Sequence, residues 1–94
     1  MVETLKNKRK EILRIADKHG ARNVRIFGSA ARGESRRQSD IDLLVEVGPV
    51  HSPWFPAGLI ADLEELLGCK VDVVTQNALH WYIRDQVLAE AVPL

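Results

Sequence analysis

Two carboxylates two positions apart, Asp40 and Asp42, open the run Asp40-Ile41-Asp42-Leu43-Leu44-Val45-Glu46-Val47, and a glycine-serine pair, Gly28-Ser29, stands a short segment ahead of them. Residues two apart on a strand share a face, so both aspartates project to one side. Side by side they repel each other unless a cation stands between them. Their hard oxygen donors suit Mg²⁺, which keeps open positions for phosphate oxygens. The spacing predicts a divalent metal site.

Gly28-Ser29 closes the short run Val24-Arg25-Ile26-Phe27, and Ala30-Ala31-Arg32-Gly33 after it reads as one helical turn ended by glycine. At such a strand-to-helix junction the first backbone N–H groups are unpaired, glycine admits a phosphate close to the main chain, and the serine hydroxyl adds a donor. The turn suits a triphosphate. A third carboxylate, Asp72, sits inside the β-branched run Lys70-Val71-Asp72-Val73-Val74, where a charge is costly without a partner, and a shared metal would supply one. Two metals on three carboxylates stabilise the attacking and leaving oxygens of an in-line displacement at phosphorus, the arrangement nucleotidyl transfer needs. A sheet with one wet face would explain an isolated Asp-x-Asp. It does not explain the pair together with the Gly-Ser turn and Asp72.

The stretch Gly28-Ser29-Ala30-Ala31-Arg32-Gly33 through Ser39-Asp40-Ile41-Asp42-Leu43-Leu44-Val45 resembles the signature of the DNA polymerase β-type nucleotidyltransferase superfamily, in its minimal nucleotidyltransferase branch. The likeness extends to Asp72 and to the tail from Ile83 to Ala91. It implies an α/β fold, the minimal polymerase β-type palm: a small mixed β-sheet with helices packed on one face, and the Gly-Ser turn and aspartates at an open edge. Carried over residue by residue, it implies Gly28 and Ser29, with Arg32 beside them, for nucleotide phosphate. Asp40, Asp42 and Asp72 become the catalytic carboxylates that hold Mg²⁺, two ions, with ATP as the substrate.

Minimal nucleotidyltransferases of this size are similar to antitoxins paired with a helical ribonuclease toxin of the HEPN class, to which family members transfer AMP on a tyrosine. The resemblance thus implies Mg-dependent transfer of AMP from ATP to a hydroxyl of such a partner, with Asp72 directing the acceptor's proton as pyrophosphate leaves. Two other readings stay open. One is an antitoxin that neutralises its toxin by binding alone, through Trp54, Phe55, Trp81 and the basic first helix. The other is a nucleotidyltransferase acting on a small molecule, which would normally need a further substrate-binding domain.

Ninety-four residues, 46% of them hydrophobic, suffice for one domain, 1–94, with one modest core. Thirteen basic and thirteen acidic residues give a formal net charge of zero, so the overall basic field expected of a nucleic-acid binder is missing. Locally the charge is uneven. Lys6, Lys8, Arg9 and Lys10 crowd the first helix, Arg32, Arg36 and Arg37 flank the Gly-Ser turn, and Asp62, Glu64 and Glu65 mark a later helix. Arg32 could grip phosphate oxygens in a fork. A single cysteine, Cys69, excludes an internal disulfide. No apolar stretch approaches the roughly 20 residues of a membrane span. With no secretory signal visible, the expectation is a cytoplasmic protein. Homodimer and hetero-oligomer with the toxin both remain open.

Helical periodicity predicts a helix over 3–19 with Leu5, Ile12, Leu13 and Ala16 inward and Gly20 as a left-handed cap. Strands are expected at 24–27, 41–47 and 71–75, and a loop at 48–56 with its three prolines. A helix from Pro56 carries Leu59, Ile60, Leu63, Leu66 and Leu67 inward and stops at Gly68. Asn77 should cap a last helix with Leu79, Ile83, Val87 and Leu88 on its inner face, and Pro93 bars its extension. His19, His51 and His80 share no metal-ligand spacing and are expected at the surface or in loops. Cys69 should pack as a small apolar residue. Trp81 and Tyr82 should serve packing or an oligomer contact.

Overall fold

A computed structural model of the chain describes residues 2–28, 41–51, 53 and 55–94. Its centre is a mixed sheet in the order β3-β2-β1-β4. Strands β1 (Ala21–Phe27) and β2 (Ile41–Val47) pair antiparallel, and β2 pairs parallel with β3 (Val71–Thr75). A parallel pair needs a crossover, which α3 (Ala57–Leu67) supplies. The α/β class is the one that the resemblance implies, and the bounds of β2 and β3 are those expected from their apolar runs.

Alternation along β2 sends Ile41, Leu43 and Val45 to one face, where they join Val24, Ile26, Val71 and Val73. Against that face lie Leu5 of α1 (Val2–Asn7), Ile12 and Ala16 of α2 (Arg9–Lys18), and Leu59 and Leu63 of α3. Burying each of these large aliphatic side chains stabilises the fold by about 1.5–3 kcal/mol before entropy is counted. Cys69 and Phe55 pack at the margin of this core, as expected of Cys69. Leu44 points to the other face and is nonetheless fully buried, so that face is covered as well.

Several elements differ from the sequence expectation. The single helix over 3–19 is two, because Asn7, whose side chain competes for backbone hydrogen bonds, closes α1, and Lys8 leaves the helical range at φ −103°, ψ 13°. Gly20 follows α2 with the left-handed φ of +85° expected of a cap. Strand β1 starts at Ala21, and a bulge lies between Arg22 and Arg25 where Asn23 has φ +50°. Asn77 does not cap the last helix. It lies in a 3₁₀ turn, Gln76–Ala78, and His80 caps α4 (Trp81–Glu90) by accepting from the Tyr82 N–H through Nδ1 at 3.1 Å. Of the apolar stripe assigned to α4 only Val87 is buried, and Ile83 is exposed. Beyond α4 a two-residue strand, β4 (Val92–Pro93), pairs with Arg25 and Ile26 of β1. A strand so short, with a proline in it, leaves no alternation to read. Among the described residues no helix is long and apolar enough to cross a membrane.

Candidate functional site

Three residues form a row across the sheet: Phe27 of β1 pairs with Asp42 of β2, and Asp42 pairs with Asp72 of β3. Each aspartate stands between residues committed to the core, Ile41 and Leu43 on β2 and Val71 and Val73 on β3, so both point to the face opposite the α2–α3 layer. Neighbouring strands run about 4.8 Å apart, which brings the two carboxylates abreast. The register is fixed at the strand starts. Ile41 N–H donates to the Lys70 carbonyl at 3.0 Å, and Val71 N–H donates to Glu64 Oε2 at 3.0 Å, tying the end of α3 to β3.

Like charges directly opposite each other weaken a sheet, and nothing in the packing of β2 or β3 requires them. Asp42 is half-buried and Asp72 exposed. Gly28, at the end of β1, turns with φ +73°, and a Cβ built on it would stand only 2.5 Å from Asp42 Oδ2. The Asp42 carboxylate thus rests against bare main chain, in space that any other residue would fill. Two hard oxygen donors abreast, one of them backed onto glycine, form a donor set that suits a divalent cation such as Mg²⁺.

Of the residues singled out in the sequence, the structure brings together Gly28, Asp42 and Asp72. Ser29, Arg32, Arg36, Arg37, Asp40 and Trp54 lie outside the described residues. Among the described residues no three His, Cys, Asp or Glu side chains form a metal-holding group. Phe27 was not singled out as part of the site. The signal was its place directly before Gly28, which in an antiparallel hairpin lands opposite the start of β2.

Other polar groups stand apart from this row. Glu46 accepts from Asn23 Nδ2 at 2.9 Å and lies four residues along β2 from Asp42, roughly 13 Å away at strand rise. It helps line a polar cleft of about 310 Å³ with Val47, Thr75, Gln76 and Asn77, beside Arg25 Nη2 donating to Gln76 Oε1 at 2.8 Å. His19, expected at the surface or in a loop, follows the end of α2 and is buried. Its Nε2 lies 2.7 Å from Asp62 Oδ2, and since a carboxylate only accepts, Nε2 carries the hydrogen. That hydrogen bond from His19, helped by the nearby Lys18 ammonium, holds the Asp62 pKa below the usual carboxylate value against a smaller opposing effect of burial. Trp81 and Tyr82 are 78% and 77% exposed, with rings edge-to-face at 5.8 Å. They do not pack into the domain.

Residues 6–94 match the nucleotidyltransferase domain family, and the chain belongs to it. Among curated relatives, the protein adenylyltransferase MntA of Thermococcus cleftensis is 36% identical over 91 residues, which cover 97% of this chain and 90% of that one. A solved structure provisionally described as a minimal nucleotidyltransferase superposes with a TM-score of 0.87 at 46% identity, over 99% of this chain and 95% of the other. A chain of a toxin–antitoxin structure with AMP-PNP follows at a TM-score of 0.73 and 26% identity, over 93% and 69%. The fold is that of a minimal nucleotidyltransferase, and the chain is a nucleotidyltransferase.

Proposed function

We propose that the chain is a Mg²⁺-dependent protein adenylyltransferase that moves AMP from ATP onto a hydroxyl of a partner protein, and that the partner is a HEPN-class toxin which the modification silences. The observation that carries the reading is the pairing of Asp42 with Asp72 on the face of the sheet opposite α2 and α3, beside Gly28. Membership of the nucleotidyltransferase family supports the reaction class. The relative named as a protein adenylyltransferase supports a protein acceptor, and the toxin–antitoxin neighbour with AMP-PNP supports both the toxin and the adenine nucleotide.

Asp42 and Asp72, joined by Asp40, would hold the metal, which when bound neutralises phosphate charge and aligns the attacking and leaving oxygens. Gly28 and Ser29 would take the nucleotide phosphates through backbone N–H and hydroxyl donors, with Arg32 as counter-charge. Asp72 is the more exposed of the two described carboxylates. It is therefore the group that an acceptor hydroxyl arriving from solvent meets first, and it orients or accepts that proton.

The test is incubation with Mg²⁺, ATP and the product of a neighbouring gene, followed by mass spectrometry of that product for added AMP. Wild type should add it. Asp42→Asn and Asp72→Asn should each slow transfer by about 100-fold or more, the scale on which one preorganised electrostatic group matters, while still binding the partner. Neutralisation that survives both substitutions would favour an antitoxin acting by binding alone, a role for which the exposed Trp81 and Tyr82 offer a surface. Transfer to a small molecule and not to the protein would move the acceptor to a different class.

A further inference from the structure

We infer that the polar cleft at the carboxyl ends of β2 and β3 is a second ligand site, separate from the carboxylate row, that takes a nucleobase bearing an amino group, adenine or cytosine. The two strands are parallel, and the chain leaves them on opposite sides of the sheet. From β2 it returns through α3, which packs on the face of Leu43 and Val45, to β3. From β3 it travels the other way through α4, past β2 and β1, to β4 at the far edge, and the pairings make β4 parallel to β3. Parallel crossovers are right-handed, so reversing the direction of travel sets α4 on the face opposite α3. Val87 of α4 and Leu44 of β2 are accordingly buried apart from the main core. Where successive connections part to opposite faces, a crevice opens outside the carboxyl ends of the strands, and open α/β sheets bind their ligands there. A cleft of about 310 Å³ lined by Glu46, Val47, Thr75, Gln76 and Asn77 occupies that place.

Two of its polar groups are fixed at one end and free at the other. Asn23 Nδ2 donates to Glu46 Oε2 at 2.9 Å, which leaves Oε1 to accept, and Arg25 Nη2 donates to Gln76 Oε1 at 2.8 Å, which leaves Nε2 to donate. The Asn77 amide and the Thr75 hydroxyl have no hydrogen-bond partner among the described residues. Val47, 42% exposed, adds an apolar wall on which a ring can lie. The volume falls at the low end of small-molecule sites, about 300–1,000 Å³, and suits a base better than a protein segment. An exocyclic amino group carries two hydrogens and stands beside a ring nitrogen that only accepts. It can give to Glu46 Oε1 and Asn77 Oδ1 while the ring nitrogen takes the Gln76 N–H, the matching by which amide and carboxylate side chains read bases.

This base is not that of a nucleotide held at Asp42. Leu44 stands between Asp42 and Glu46 on their shared face and is fully buried, so protein fills the interval of roughly 13 Å where a continuous groove would have to run.

Titration with adenosine, in EDTA so that no metal takes part, followed by nuclear magnetic resonance, reads the side-chain amides of Gln76 and Asn77 directly. Their signals should shift and saturate. Cytidine should act alike, while inosine and uridine, which carry oxygen in place of the amino group, should bind about tenfold more weakly or worse, the scale of one hydrogen bond to a charged group. Glu46→Ala and Asn77→Ala, both at exposed positions, should weaken adenosine by a similar factor, and Asp42→Asn should bind it like wild type. No shift up to the solubility limit of adenosine would overturn the inference. So would inosine binding as well as adenosine, shifts confined to Gly28, Asp42 and Asp72, or Glu46 and Asn77 variants that bind like wild type. The contrast between adenosine and inosine needs no variant, and it decides the matter even where a substitution fails to fold.

Discussion

At Gly28 two requirements meet. The backbone sits at φ +73°, and the space where a side chain would begin is held by Asp42 Oδ2. Gly28→Ala therefore asks a residue with a Cβ to adopt a left-handed conformation, a strain of about 1–3 kcal/mol, and also displaces a carboxylate of the proposed metal site. The variant should melt at a lower temperature by thermal denaturation and lose transfer activity even where it is fully folded. A Gly28→Ala protein with the wild-type rate would separate the position of Asp42 from catalysis. The sidedness of Asp42 was legible in the sequence, because alternation along a strand is a local property. Its pairing with Asp72, thirty positions on, was not. That register depends on how α3 returns the chain and on the Lys70 carbonyl meeting Ile41 N–H, which are matters of packing and not of pattern.

At the scale of elements, the link between α2 and α3 is polar at one end. His19 lies three residues after Ala16 and seven after Ile12, so the helical period itself sets it on the inner stripe, and Asp62 of α3 meets it there. The Asp62 pKa is depressed in the folded protein, chiefly by the hydrogen bond from His19. The stabilisation that follows is complete above the unfolded carboxylate pKa, about 3.9, and is lost as pH falls through the lower folded value. Asp62→Asn should thus be less stable than wild type near neutral pH, with the gap in urea midpoints closing in the acidic range below about pH 4. A gap that stays constant down to that range would show that the carboxylate's charge is not what Asn removes. The ends of α4 were less legible. His80 is an unusual cap, and a helix that buries Val87 alone gives periodicity little to report.

For the molecule as a whole, the fold rests on one apolar layer between the sheet and its helices, and this was the part most plainly written in the sequence: Leu59 and Leu63 on α3, the buried run of β2, and Gly68 as the stop. Leu43, fully buried at the middle of the central strand, is the sharpest probe of that layer. Leu43→Ala should cost about 2–5 kcal/mol, read as a drop in urea midpoint without a change in slope. A loss well under 1 kcal/mol would mean that this layer is not the seat of cooperativity.

The bulge at Asn23 bends β1 on the side of the sheet where β4 pairs with only two of its residues. A kinked ribbon makes a poor template for an incoming strand. That border is accordingly a poor seed for amyloid-type stacking of one copy on another.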